Sequence, residues 1–203
     1  MPYPEEYVAI AKQQATQGKI MCQGMFDRDM HELVPNLIYA ASLAAKERGQ
    51  EWLTLHIDSY GGEVAVLDAI RMAMYETRLK FVGFVMTRAM SAAFDLLQHC
   101  DWRVGLSGML LMAHYGSTGV SNATLAMLHE TPKMALELER ARIEESLKFY
   151  ARRSGLPVRR IHELCRSDVR FTSHQALAMG FLDEVIDPAP TTSTRPPADY
   201  QII

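Results

Sequence analysis

The sequence predicts an α/β fold in which a parallel sheet is covered by helices. Three observations carry this expectation. Apolar runs of strand length alternate with segments of helical spacing. Small or turn-forming residues stand at several strand-to-helix junctions. The 203 residues are enough to bury one substantial core. Alternation of this kind puts consecutive strands side by side with a helix crossing between them. Ligands of such sheets usually sit beyond the carboxyl ends of the strands, so the junctions are where chemistry is expected.

Taken in order, Lys19-Ile20-Met21-Cys22 reads as a first strand. A helix follows from about Met30 to Arg48, with Leu33, Leu37, Ala40, Ala41 and Ala44 inward. Trp52-Leu53-Thr54-Leu55-His56-Ile57 is a second strand, and Val64, Leu67, Ala69, Ile70 and Met74 then share one helical face. Phe81-Val82-Gly83-Phe84-Val85 has the length and composition of a buried strand, and Ala92, Ala93, Leu96 and Leu97 after it have helical spacing. Met109-Leu110-Leu111-Met112-Ala113 is an apolar run that ends in the same layer. From Thr131 to Arg153 the pattern changes to one long helix. Thr131 suits its cap and Pro132 its first turn. Leu136, Ile143, Leu147 and Tyr150 form an apolar stripe, flanked by Met134, Leu138 and Ala141. Glu144 and Lys148 add an i, i+4 pair. Gly155 and Pro157 end that helix, and a short one runs on to Cys165. The reading is one domain over residues 1–187, with a Pro- and Thr/Ser-rich disordered tail over 188–203.

Charge and composition exclude several classes of function. The formal net charge is −3, the pI is about 6.2, and there is no long basic run. Nucleic acid and anionic membrane are therefore not expected partners. Cys22, Cys100 and Cys165 are odd in number and lack metal-ligand spacing, so they read as reduced, buried small hydrophobes. The N-terminal residues show no basic stretch followed by an apolar one, and no apolar run has the length of a membrane span. A soluble, cytoplasmic protein is expected.

Two junctions carry candidate chemistry. Ser91, in Thr87-Arg88-Ala89-Met90-Ser91-Ala92-Ala93, stands where a strand gives way to a helix. Amides at a helix N-terminus favour negative charge, which suits a nucleophile whose attack creates an oxyanion. A helix N-cap is the plainer role for such a serine. In Ile57-Asp58-Ser59-Tyr60-Gly61-Gly62-Glu63 the two glycines permit φ > 0 and let a ligand approach the backbone closely. Their amides can donate to an anion, although a simple tight turn has the same sequence. His114 follows the apolar run at Met109–Ala113, and Asp168 follows a helical segment. Of the other histidines, His31, His129, His162 and His174 fall in polar or helical surroundings, while His56 lies in a strand and His99 at a helix end.

The series Asp58-Ser59-Tyr60-Gly61-Gly62, Ala89-Met90-Ser91-Ala92-Ala93, Met112-Ala113-His114 and Asp168-Val169-Arg170-Phe171-Thr172-Ser173 resembles ClpP, the proteolytic subunit of the ATP-dependent Clp protease. Gln175-Ala176-Leu177-Ala178-Met179-Gly180-Phe181-Leu182-Asp183 looks like that family's closing helix and turn, so the resemblance runs from about Gly18 to Ile186. It implies a ClpP/crotonase-like fold of repeated strand–helix units with a protruding handle helix, here over about residues 117–155. It further implies Ser91 as nucleophile, His114 as base and Asp168 as orienting acid. Gly62 and Ala92 would supply the oxyanion hole, and Gly61 and Tyr60 would touch substrate. No metal or organic cofactor is implied. The implied substrates are unfolded polypeptides, the implied assembly a heptameric ring or a tetradecamer of two rings, and the implied partner an AAA+ ATPase unfoldase. The chain departs from the family pattern at Tyr60, where Pro is usual, at Thr87, where Gly is usual, and at Tyr115-Gly116, where Gln-Pro is usual. The stretch from His114 to Asp168 is several residues longer than the family's, and the axial-loop sequence is missing from the N-terminus, which marks a divergent member. Two other readings fit parts of this pattern: a crotonase-like acyl-CoA enzyme, which also uses a glycine turn as an oxyanion hole, and a non-catalytic ring subunit.

Overall fold

Alternation of buried and outward side chains builds the central strands. Ile20 and Cys22 of β1 (Lys19–Phe26), Leu53, Leu55 and Ile57 of β2 (Trp52–Gly62), and Phe81, Val85 and Ala89 of β3 (Lys80–Met90) all point into the core. The computed structural model describes residues 3–115, 127 and 129–187. Parallel neighbours need a crossover, and the helices supply it. After α1 (Glu5–Ala15), α2 (Arg28–Glu47) links β1 to β2, α3 (Val64–Thr77) links β2 to β3, and α4 (Ala92–His99) links β3 to β4 (Trp102–Leu106). Then come β5 (Leu110–Met112), α5 (Pro132–Ser154), α6 (Val158–Arg166), β6 (Arg170–Thr172), α7 (Ser173–Ala178) and β7 (Glu184–Ile186). The main sheet runs β1-β2-β3-β4-β7, parallel throughout.

The sheet forks at β3. Its first half, Val82 to Val85, pairs with β4, while its last three residues, Arg88 to Met90, pair with β5. β5 in turn pairs antiparallel with β6. The fork therefore gathers the ends of β3 and β5 and the approach to β6 at one place, and these are the segments that carry Ser91, His114 and Asp168. The carboxyl end of α4 is fastened from behind. Buried Arg103 is held by Asp183 at 2.7 Å and 2.9 Å and donates to Gln98 Oε1 at 2.7 Å, while Gln98 donates to the Phe181 carbonyl. A charge this deep is tolerated because its donors are matched.

Several elements differ from the sequence expectation, each for a physical reason. β1, β2 and β3 all run further than their apolar cores, so Gly61 and Gly62 close β2 and Met90 closes β3. In α2 the buried set is Met30, Val34, Leu37, Ile38, Ala41, Ser42 and Ala45, and Ala40 faces outward. The helix turns to cover Val34 and Ile38, whose apolar area exceeds that of Ala40 and Ala44. It also starts at Arg28, because the Asp27 carboxylate accepts from the Met30 amide at 3.1 Å. In α3, Val64 is half-exposed at the mouth of a cleft while Val66 is buried. Only the carboxyl end of the α5 stripe packs: Leu147 and Tyr150 are buried, with Tyr150 edge-on to Phe94 at 5.4 Å. Leu136, Met134 and Leu138 are 65%, 48% and 54% exposed, and at that end of the helix it is Ala135 that is buried. All three cysteines are buried, as expected. The expected tail at 188–203 and the start of the handle at 117–126 lie outside the described residues. No helix among the described residues is long and apolar enough to cross a membrane.

Candidate active site

Ser91 occupies the junction of β3 and α4 with φ 54° and ψ −125°, a conformation that side chains rarely adopt. Its amide donates to the Met112 carbonyl at 3.0 Å, which ties the junction to the end of β5. From the other side it is braced by Gly61. A Cβ at Gly61 would lie 2.6 Å from the Met90 carbonyl oxygen and 2.8 Å from both the Ala92 amide nitrogen and Ser91 Cβ. Only glycine fits there, and its φ of 93° favours glycine as well. Gly62 has no room for a side chain either, with its missing Cβ 2.4 Å from the Phe26 carbonyl oxygen. That same carbonyl accepts from the Glu63 amide at 2.8 Å. The ends of β1, β2 and β3 are thus in direct contact around the serine. Ser59, buried beneath the turn, accepts from the Gly61 amide at 2.9 Å.

His114 Nε2 stands 2.6 Å from Ser91 Oγ. His114 Nδ1 stands 3.4 Å from a carboxylate oxygen of Asp168, which has a positive φ of 47° and an exposed side chain. The Tyr115 amide donates to the Cys165 carbonyl at 3.3 Å, anchoring the chain just after the histidine to α6. Ser91, His114 and Asp168 thus stand in series, with a hydrogen bond between serine and imidazole and a carboxylate oxygen 3.4 Å from the other ring nitrogen. Asp183 is engaged by Arg103, and Asp187 lies 3.8 Å from His174, so neither competes for His114. His31, His129, His162 and His174 are exposed.

A cavity of about 90 Å³ opens beside the serine, and Gly62, Ser91, Ala92 and His114 all line it. Val64, Leu67, Ile143 and Leu147 form its apolar wall. Ile143, Leu147 and Tyr150 bring α5 into the site, a contribution that sequence reasoning missed although it singled out this stripe. Burial, and then the nearby Asp95 carboxylate, pushes the Tyr150 phenol well above its usual value. Burial also pushes the Cys165 thiol up to about 11, so at neutral pH it lines the cavity as an uncharged group. Tyr60 does not line this cavity; its ring lies against the Arg88 guanidinium at 4.4 Å. Among the described residues no group of three or more His, Cys, Asp or Glu is placed to hold a metal ion.

The family model described as Clp protease matches residues 4–189, nearly the whole chain. The chain belongs to the Clp protease family. Its mixed α/β architecture with a mostly parallel sheet agrees with that membership. A curated relative, the ATP-dependent Clp protease proteolytic subunit of Oltmannsiellopsis viridis, is 28% identical over 173 residues, covering 81% of each chain.

The conformation of Ser91 has a measurable consequence. Backbone strain of this kind costs about 1–3 kcal/mol, and glycine is free of it at the expense of about 0.5–1 kcal/mol of chain entropy. In urea denaturation Ser91→Gly should therefore be more stable than Ser91→Ala by about 1 kcal/mol. An alanine variant as stable as the glycine variant would show that the junction is unstrained.

Proposed function

We propose that this Clp family member is a serine endopeptidase acting through Ser91, His114 and Asp168. The observation that carries the reading is the 2.6 Å contact of Ser91 Oγ with His114 Nε2, with Asp168 on the far nitrogen of the same ring. In this mechanism His114 takes the Ser91 proton as Oγ attacks the peptide carbonyl carbon. The carbonyl oxygen becomes an oxyanion between the amides of Gly62 and Ala92, each worth roughly 3–4 kcal/mol in the transition state. His114 then hands its proton to the leaving amine, and the acyl group stays on Ser91. Water, deprotonated by His114, attacks that ester and releases the second product. Asp168 holds the imidazole in the tautomer that presents a bare Nε2 to the serine, and it stabilises the imidazolium. These side chains and amides supply every proton and charge the two steps need.

The substrates in this reading are unfolded polypeptides, processed inside a homo-oligomeric ring, heptameric or doubled to a tetradecamer, that a Clp-type AAA+ ATPase feeds in the cytosol. Family membership supports this, as do the exposed apolar residues Met134, Leu136 and Leu138 on α5, which a monomer leaves in water.

Steady-state hydrolysis of short fluorogenic peptides tests the catalytic assignment. Ser91→Ala and His114→Ala should each lower kcat by about a thousandfold or more, and Asp168→Asn should lower it strongly too. Because triad members act as a unit, His114→Ala combined with Asp168→Asn should be hardly slower than the worse single variant. A folded Ser91→Ala protein that keeps more than a few per cent of the turnover would overturn the assignment. On the same samples, light scattering should give a mass many times the 22.9 kDa of one chain, and a stable monomer would contradict the ring.

A further inference from the structure

The paired strands that end in the Gly61-Gly62 turn and in Ser91 do not pair continuously. Ile57 is opposite Val85, but two residues later Ser59 is opposite Ala89, so β3 accommodates two extra residues between those points. A bulge of this sort interrupts the backbone ladder and bends the bulged strand, so the ladder alone does not set the spacing of the strand ends beyond it. Here it falls just before the two backbone elements that must keep a fixed spacing around the serine.

Four side chains bridge the interruption. The Thr87 hydroxyl donates to the Asp58 carboxylate. Arg88 Nε pairs with the same carboxylate oxygen at 3.2 Å. The guanidinium carbon of Arg88 then lies over the Tyr60 ring, 4.4 Å from its centre, and Arg88 Nη1 donates to the Tyr60 hydroxyl. Arg88 thus holds β2 at two points, one on each side of Ser59. Arg88 and Asp58 are each only about one-third exposed, at 32% and 30% of their side chains, so their pairing is partly shielded from water. Tyr60 is bonded directly to Gly61, whose Cα packs against Ser91 and the Ala92 amide.

We propose that Arg88 is a positioning residue for the oxyanion turn, clamping Tyr60 and Asp58 across the bulge so that the Gly61-Gly62 backbone keeps its place against Ser91. The proposal rests on the serine peptidase reading above. A planar guanidinium suits the task because one group makes a directed bond to a carboxylate and stacks on a ring at once. The residue just ahead of the two glycines is Tyr60. Proline would fix the backbone φ ahead of the glycines by itself. A tyrosine leaves that angle free, and the clamp restores the constraint through side chains.

Arg88 does not line the cavity beside Ser91, so its loss should act on transition-state geometry and not on substrate binding. With a short fluorogenic peptide as probe, Arg88→Met should lower kcat about tenfold while KM stays within about twofold. Arg88→Lys, which keeps the charge over the ring without the fork, should recover part of the loss. Tyr60→Phe should show a smaller fall, and the Tyr60→Phe, Arg88→Met pair should be no slower than Arg88→Met alone. Circular dichroism and light scattering of each variant establish that fold and assembly are kept; if Arg88→Met does not fold, Tyr60→Phe and Arg88→Lys still decide the question. Ser91→Ala is assayed beside them. Ser91-dependent turnover with kcat unchanged in the folded Arg88 and Tyr60 variants overturns the clamp and leaves the peptidase reading intact. A rise in KM at constant kcat overturns it too, since it would make Arg88 a substrate contact. Turnover that does not depend on Ser91 overturns both.

Discussion

The contact between Gly61 and the Ser91 junction is the constraint on which the site depends. Two strand ends approach so closely that no β-carbon fits between them. This approach fixes the amides of Gly62 and Ala92 relative to the serine hydroxyl, and in the proposed mechanism donors placed in this way act without reorganisation. Close packing leaves the arrangement little room to adjust. A methyl group at Gly61 would meet the Met90 carbonyl, and one at Gly62 would meet the backbone of Phe26. β1 is therefore as much a part of the site as β2 and β3, although no side chain of β1 lines the cavity.

The fork in the sheet solves a second problem, that of bringing three distant segments together. β3 leaves β4 after Val85 and takes β5 as its partner from Arg88, so the end of β5 arrives beside Ser91. Two backbone bonds hold that arrival, from Ser91 to Met112 and from Tyr115 to Cys165. Asp168 reaches His114 from the turn before β6, which β5 pairs directly. The long helix α5 then closes the cavity with Ile143 and Leu147 while its other end leaves Leu136 and Leu138 in water. One helix thus completes the site and presents an apolar surface.

Much of this was legible in the residues, and the parts that were not have common causes. Strand–helix alternation revealed the parallel sheet because parallel neighbours need a crossover between them. Ser91 was marked by its strand-to-helix junction, whereas His114 and Asp168 were chosen through the resemblance to the Clp family, and the three side chains stand near one another. Strand ends were misjudged because Thr87 and Arg88 are polar, yet they belong to β3 through pairing that only tertiary structure creates. The face of α2 was misassigned at Ala40 because alanine spacing alone cannot say which of two adjacent stripes buries more area. The stripe on α5 was visible, but not that half of it lines a cavity and half faces solvent, since periodicity records a face and not what lies against it. The bulge and its clamp were invisible, because Asp58, Tyr60, Thr87 and Arg88 are separated by about thirty residues and meet only through strand register.

That Ser91 is the nucleophile can be tested most directly by its covalent capture. A fluorophosphonate reacts with a serine whose proton is removed by a neighbouring base and whose oxyanion is held by donors, and it ignores ordinary hydroxyls. After exposure of the intact protein, tandem mass spectrometry should find one adduct per chain, on Ser91, and labelling should collapse in His114→Ala. An adduct on another residue, or no adduct on a folded and assembled protein, would contradict the assignment.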